Sequence, residues 1–413
     1  MYLKENSFFN NFLKINFFLY LIVIAGDAAS YLYQILNAKF FEVEVFGLFN
    51  KFTYSTIFFT SPIASLQLIL VRYISSKKKV EENDIKTINT LFIYSLLFVT
   101  LFLLLFFNYF RTYFNDLLIC YIFIIYVYTI LINQYLISFY QGLRNYITHS
   151  FIGASGLFLK VFLLVVLLFS PLKQFSNFIS LVLALLISNV ICIFFILKQI
   201  PNYFSFKIIK VKELFEILRK INISHFFAPF ITLIFFSSDI FLISNISSNK
   251  EIGLISSASV IGKIVFFLCS ISLMYLLPAS SFSKSNEELS KNKMQRNLSI
   301  GIVLLIFVTS TLFIYYFRES IIFVTYNSQY MAASQYVLVY CIAFGLIALN
   351  NNFLTYLISI NHERFTTKPI LLLLTYLLVS YFLIDTPIQI IKSLILVNLL
   401  ISIYLSFVIF KQK

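Results

Sequence analysis

Five ionisable residues stand inside apolar stretches of this 413-residue chain, and they are where its sequence could do chemistry: Lys51, Lys160, Lys263, Asp27 and Asp239. A Lys or Asp at the centre of a membrane helix costs about +2.5 to +3.5 kcal/mol, against roughly −0.3 to −0.6 for each Leu, Ile, Phe or Val. A charge kept at that depth should face protein or water. Ser256, Ser259, Lys263 and Ser270 stand at i−7, i−4, i and i+7, which makes one polar stripe on a helix. Lys160 has Gly153 and Gly156 on its own helical face, leaving room for a bulky ligand or a closely packed neighbour. Lys51 lies one turn inside the end of its run, on a line with Ser55. It reads either as a cavity cation or as a lysine that snorkels to the interface. Three cations lining a shared cleft would attract an anion such as a diphosphate.

The carboxylates read differently. Asp27, Ser30, Tyr31 and Gln34 follow an i, i+3, i+4, i+7 pattern, so Asp27 is the clearest candidate for a buried carboxylate. It would either bind a coupling proton or Na⁺ or pair with a lysine. Asp239, beside Ser237 and Ser238 near the outer end of its run, is expected to meet water, and is the second candidate for ion coupling. Catalytic signatures are missing. Gly262-Lys263-Ile264 lacks the Ser or Thr and the upstream Gly of a phosphate-binding loop. His149, His225 and His362 are far apart and have no metal-ligand spacing. Cys120, Cys192, Cys269 and Cys341 lie in separate apolar runs, which suggests neither disulfides nor a metal site. These features predict a non-enzymatic protein with no cofactor and no metal.

The elements that must position these residues follow from composition. Hydrophobic residues make up 60% of the chain and charged ones 12%, about half the usual share of a soluble domain. That balance excludes soluble and disordered classes. Apolar runs near the ~20 residues needed to cross a bilayer predict an all-α, polytopic membrane protein. Twelve runs can be read: 15–36, 47–71, 87–108, 117–139, 150–169, 178–197, 221–244, 252–277, 297–317, 332–359, 369–384 and 388–410. The first is expected to be a retained span, because no small-residue cleavage site follows a short apolar core. The longest outer connection is expected near Arg318 to Met331. With no Trp present, the 27 Tyr must supply most of an interfacial aromatic belt. Of the 31 Lys and Arg, 22 fall in connections on one side, 6 on the other, and 3 inside spans. The excess places both termini in the cytoplasm. The formal charge of +14 is therefore a topology signal, and its dispersal among loops argues against nucleic-acid binding.

The two halves echo each other. Glu44-Val45-Phe46-Gly47-Leu48 enters one span and Glu251-Ile252-Gly253-Leu254 another, and Gly47 to Arg72 is the same distance, 25 residues, as Gly253 to Pro278. Asn133 and Gln134, and Asn350 to Asn352, read as hydrogen bonders between helices. Pro62 and Pro229 fall inside spans two and seven, where they are expected to bend the helix. The predicted organisation is a six-helix bundle over 1–200, an amphipathic cytoplasmic linker over 201–220, and a second six-helix bundle over 221–413. Ile208, Val211, Leu214, Phe215, Leu218 and Ile221 mark the linker's apolar face. Repeats of six spans suit a transporter with its cleft between the halves.

One stretch carries a family resemblance: Tyr33-Gln34-Ile35-Leu36-Asn37-Ala38-Lys39-Phe40-Phe41, then Glu44-Val45-Phe46-Gly47-Leu48-Phe49, with Arg72-Tyr73-Ile74-Ser75 at the exit of span two. The pattern resembles the polysaccharide flippases of the multidrug/oligosaccharidyl-lipid/polysaccharide exporter superfamily, the O-antigen repeat-unit flippases in particular. The resemblance implies about 12 transmembrane helices in two bundles around a cationic cavity that opens alternately to each side. It implies a substrate of undecaprenyl-diphosphate-linked oligosaccharide in the bacterial inner membrane, with a polysaccharide polymerase and a chain-length regulator as further partners. Lys51, Lys160 and Lys263 agree with a cationic cavity but rest on the residue pattern alone. A cation-coupled multidrug exporter of the same superfamily is the alternative, and a membrane-embedded glycan polymerase the weaker one.

Overall fold

The structure, a computed structural model, describes residues 2–75, 82–143, 145–169, 177–199, 224–270, 286–360, 362 and 365–411. Within them the chain is all-α. The helices are α1 (Tyr2–Phe40), α2 (Val43–Ser75), α3 (Glu82–Leu105), α4 (Phe107–Phe114), α5 (Leu117–Gly142), α6 (Tyr146–Leu168) and α7 (Asn177–Gln199). They continue with α8 (Ser224–Ile243), α9 (Asn249–Ser270), α10 (Asn286–Tyr326), α11 (Ser334–Ser359), α12 (Thr367–Phe382) and α13 (Pro387–Lys411). Eleven spans among the described residues are long and apolar enough to cross a membrane, and α12, at 16 residues, is a shorter apolar helix. These twelve correspond in order to the twelve runs read from the sequence. The protein is a multi-pass membrane protein. Helices suit that setting because each backbone group finds its partner within the same segment.

Local chemistry sets several boundaries. Asn115 ends α4 in the left-handed region at φ 53°, and the Asp116 carboxylate then accepts from the backbone N–H groups of Leu118 (2.7 Å) and Ile119 (3.4 Å) to start α5. The aromatic turn α4 was not expected, being too short to register as an apolar run. The expected connection over Arg318 to Met331 is mostly helix instead. α10 runs on to Tyr326, and a 3-10 turn (Ser328–Ala333) leads into α11. Helices α2 and α8 continue through Pro62 and Pro229. The linker proposed over 201–220 lies outside the described residues.

The chain forms two compact units: Met1–Phe40 with Leu66–Leu218, and Phe41–Ser65 with Arg219–Lys413. The start of α2 therefore groups with the later helices, and the rest of that unbroken helix with the earlier ones.

In the first unit, α6 packs on α1 and α7, and α5 packs on α7. Gly26 brings α1 against Ala154 of α6, and the Tyr33 hydroxyl donates to the Leu181 carbonyl at 2.8 Å. The Asn133 amide donates to the Asn189 side-chain oxygen (3.1 Å), and that of Gln67 to the Gln134 side-chain oxygen (3.2 Å). Asn133 and Gln134 thus join helices as their polarity suggested.

In the second unit, α11 is central and touches α8, α9, α10 and α13. The Asn350 amide donates to the Asn398 carbonyl (2.9 Å) and side-chain oxygen (3.0 Å), while the Ser402 hydroxyl donates to Asn350 Oδ1 (2.7 Å). Asn352 donates to Ser299 Oγ at 2.9 Å. The start of α2 is held against α9 by two glycines. A Cβ on Gly47 would strike the carbonyl oxygen of Asn249, and one on Gly253 would strike that of Val43. Phe46, Tyr326 and Tyr330 close round this crossing as a ring cluster, with centroids 5.5–6.0 Å apart.

Candidate functional site

Four of the five charges predicted from the sequence fall into two groups, Lys160 with Asp27 in the first unit and Lys263 with Asp239 in the second, and Lys51 stands apart from both. In the first unit, the α6 face carrying Gly153, Gly156 and Lys160 borders a cavity of about 130 Å³ between α5, α6 and α7. Lys160 is partly exposed. Its ammonium donates to Ser30 Oγ of α1 at 2.9 Å and lies 5.2 Å from the centre of the Tyr33 ring. Gly153 leaves open space, since a Cβ there meets nothing within 4 Å, whereas one at Gly156 would sit 3.0 Å from Cys192 Sγ. Asn133, Ser188 and Asn189 add polar groups to the cavity wall.

Asp27 departs from expectation, because it is exposed. The side of α1 that packs is Gly26, Ala29, Tyr33 and Asn37, all buried at i, i+3, i+7 and i+11. Asp27 is one residue off that stripe and so turned about 100° away from it. It stays near enough to Lys160 for their opposite charges to attract.

The second unit builds its group from four helices. Lys263 of α9 is 4% exposed, and its ammonium has no hydrogen-bond partner among the described residues. Three rings surround it instead: Tyr54 of α2 at 3.6 Å to the centroid, Phe236 of α8 at 4.5 Å and Phe344 of α11 at 5.1 Å. A cation on a ring face gains about 2 kcal/mol or more when desolvated, and three faces offset part of the loss of water. Asp239 of α8 offsets a further part, since its charge attracts that of Lys263. Asp239 does not meet water. It is 0% exposed, and Ser259, one turn before Lys263 on α9, donates to its Oδ2 at 3.1 Å. The expectation failed because α9, α11 and α12 cover the end of α8 where Asp239 sits. That cover comes from residues far along the chain. Lys51 is also buried, at 8% exposure, and Ser55 Oγ donates to its backbone carbonyl at 2.6 Å.

The sequence reading missed the rings around Lys263, which come from three helices and share no local pattern. It also missed Ser188 and Asn189, though two polar residues in the middle of the apolar run 178–197 were a signal.

This arrangement of about twelve helices has the fold of multidrug/oligosaccharidyl-lipid/polysaccharide superfamily transporters. The solved structure of the lipid II flippase MurJ in an inward closed conformation is similar to it with a TM-score of 0.74 at 15% identity, covering 95% of this chain and 87% of that one. An inward-facing multidrug resistance MATE family transporter has a TM-score of 0.62 at 13% identity, covering 93% of this chain and 97% of that one. A superfamily transporter from Pyrococcus furiosus, described as having a binding pocket of reversed polarity, has a TM-score of 0.61 at 14% identity, covering 94% of each chain. No protein-family model and no curated protein sequence matches the chain.

Proposed function

We propose that this protein is a flippase that moves undecaprenyl-diphosphate-linked oligosaccharide repeat units, of O-antigen or capsule type, from the cytoplasmic to the outer face of the bacterial inner membrane. The observation that carries the proposal is the sign of the interior. Lys51, Lys160 and Lys263 lie within spans, against Asp27 and Asp239, and Asp239 is matched to Lys263. A net cationic interior attracts an anionic head group and repels cationic drugs. The likeness to a lipid II flippase supports the same direction. Alternating access of the halves 1–200 and 221–413, joined by 201–220, would carry the glycan head while the lipid tail stays in the bilayer. Asp27 and Asp239 are the candidates for ion coupling. A polysaccharide polymerase and a chain-length regulator are the proposed partners.

A second reading, a cation-coupled multidrug exporter, has its own support: the chain covers 97% of a MATE transporter but 87% of MurJ. Deleting the gene and analysing lipid-linked intermediates separates the two. The flippase predicts complete, unpolymerised repeat units accumulating on the cytoplasmic face. Normal glycan export with lost drug resistance would establish the exporter instead.

A further inference from the structure

Helix α2 is divided between the two units, and its backbone bonding changes just before the division. The part up to Ser65 is anchored in the second unit. Gly47 lies against the α9 backbone, Tyr54 covers Lys263, and the Phe58 ring stacks on Phe241 of α8 with centroids 4.4 Å apart. The part from Leu66 is anchored in the first unit. The Gln67 amide donates to Gln134, a Cβ on Gly142 would strike the Ile74 side chain, and Leu70 and Ile74 share an apolar core with Phe92, Tyr135 and Phe139. Between these anchors stands Pro62, inside an unbroken helix. A proline has no N–H for the carbonyl four residues back, here that of Phe58. In a bilayer that carbonyl needs another donor. Ser61 supplies it, donating its hydroxyl to the Phe58 carbonyl at 2.7 Å. The exchange of donors matters mechanically. A hydroxyl rotates to suit its acceptor and can follow the carbonyl as the helix flexes, whereas an amide is fixed in the backbone. Thr56, Thr60 and Ser65 also donate to carbonyls four residues back in α2, each at 2.8 Å. Such bonds compete with the helix ladder and favour bending.

We propose that residues 58–62 of α2 form a hinge, in which Ser61 keeps the Phe58 carbonyl paired while the two parts of the helix change their angle. A rigid helix anchored in both units would resist any movement of one against the other. Flexing at Pro62 lets each part stay packed where it is anchored. The inference rests on alternating access and not on the substrate, so it serves a glycan flippase and a drug exporter alike.

The test is hydrogen–deuterium exchange on the purified full-length protein. It is joined to unfolding temperatures in detergent and to lipid-linked intermediates in cells carrying only the variant. In wild type, amides of 59–66 should exchange faster than those of 46–57 and 67–74. Pro62→Ala restores the missing N–H, so it should slow that exchange and raise the unfolding temperature, yet impair export. Ser61→Ala should lower the unfolding temperature, and Ser61→Thr should restore it. Once Pro62→Ala is present, Ser61→Ala should have little effect, because the restored N–H then serves the Phe58 carbonyl. Uniform exchange along α2 overturns the proposal, as does normal export by Pro62→Ala with its exchange slowed. A lower unfolding temperature for Pro62→Ala makes the proline a packing residue and also overturns it. So does an equal loss from Ser61→Ala in both backgrounds. The deletion experiment is independent. If deleting the gene accumulates no repeat units, the flippase reading falls, and the exchange pattern with drug efflux as the transport readout decides the hinge.

Discussion

Lys160 and Lys263 look alike in sequence, each a lone lysine among apolar and small residues, but the fold treats them in opposite ways. Lys263 is packed under three aromatic rings beside a buried Asp239. Lys160 is partly exposed, holds one hydroxyl, and borders open space near an exposed Asp27. Every face of Lys263 is occupied by the protein itself, so its charge serves the packing of α2, α8, α9 and α11. Lys160 keeps donors to spare. The difference is one of neighbours: rings fill the space in the second unit, and glycines leave it empty in the first.

The largest effect should come from breaking the packed pair. Lys263→Met leaves Asp239 buried without its counter-charge and should cost about 3–5 kcal/mol of stability, read as a lower unfolding temperature in detergent. Adding Asp239→Asn should recover most of that loss; if the double variant is as unstable as the single, the pair is not what holds the site. Next, Tyr54→Leu removes the closest ring and should cost about 2 kcal/mol, with no loss when Lys263→Met is already present. Lys160→Met should cost only about 0.6 kcal/mol, the average for a hydrogen bond between membrane helices, yet abolish export of the repeat unit. A melting loss equal to that of Lys263→Met would erase the contrast between the two lysines. With the smallest effect on function, Asn350→Val removes three interhelical hydrogen bonds and should cost about 2 kcal/mol at ~0.6 each, and leave export intact, since it touches neither lysine.

Much of this was legible in the sequence. Twelve helices were readable because hydropathy over ~20 residues is a local property, and Gly153, Gly156 and Lys160 share a face because a helix repeats every 3.6 residues. Asp27 and Asp239 show where local reading ends. Both sit in plausible polar stripes, but which stripe packs is decided by partners elsewhere in the chain. On α1, Gly26 and Ala29 allow close approach and take the buried side, leaving Asp27 outside. On α8, cover from α9, α11 and α12 buries a residue that stands near a helix end. The ring cage of Lys263 draws on positions 54, 236 and 344, a separation that no window along the sequence can span.

The crossing of α2 and α9 has one more consequence. Gly47 meets Asn249 while Gly253 meets Val43, and in each helix the two participants are four residues apart. That reciprocity, where i touches j and the counterpart of j touches the counterpart of i, is the form of an isologous interface between identical subunits. It is what a duplicated gene would keep if its ancestor had worked as a pair of identical chains. A side chain gained at either glycine collides with the backbone of the other helix, so each position admits only glycine while this crossing is kept.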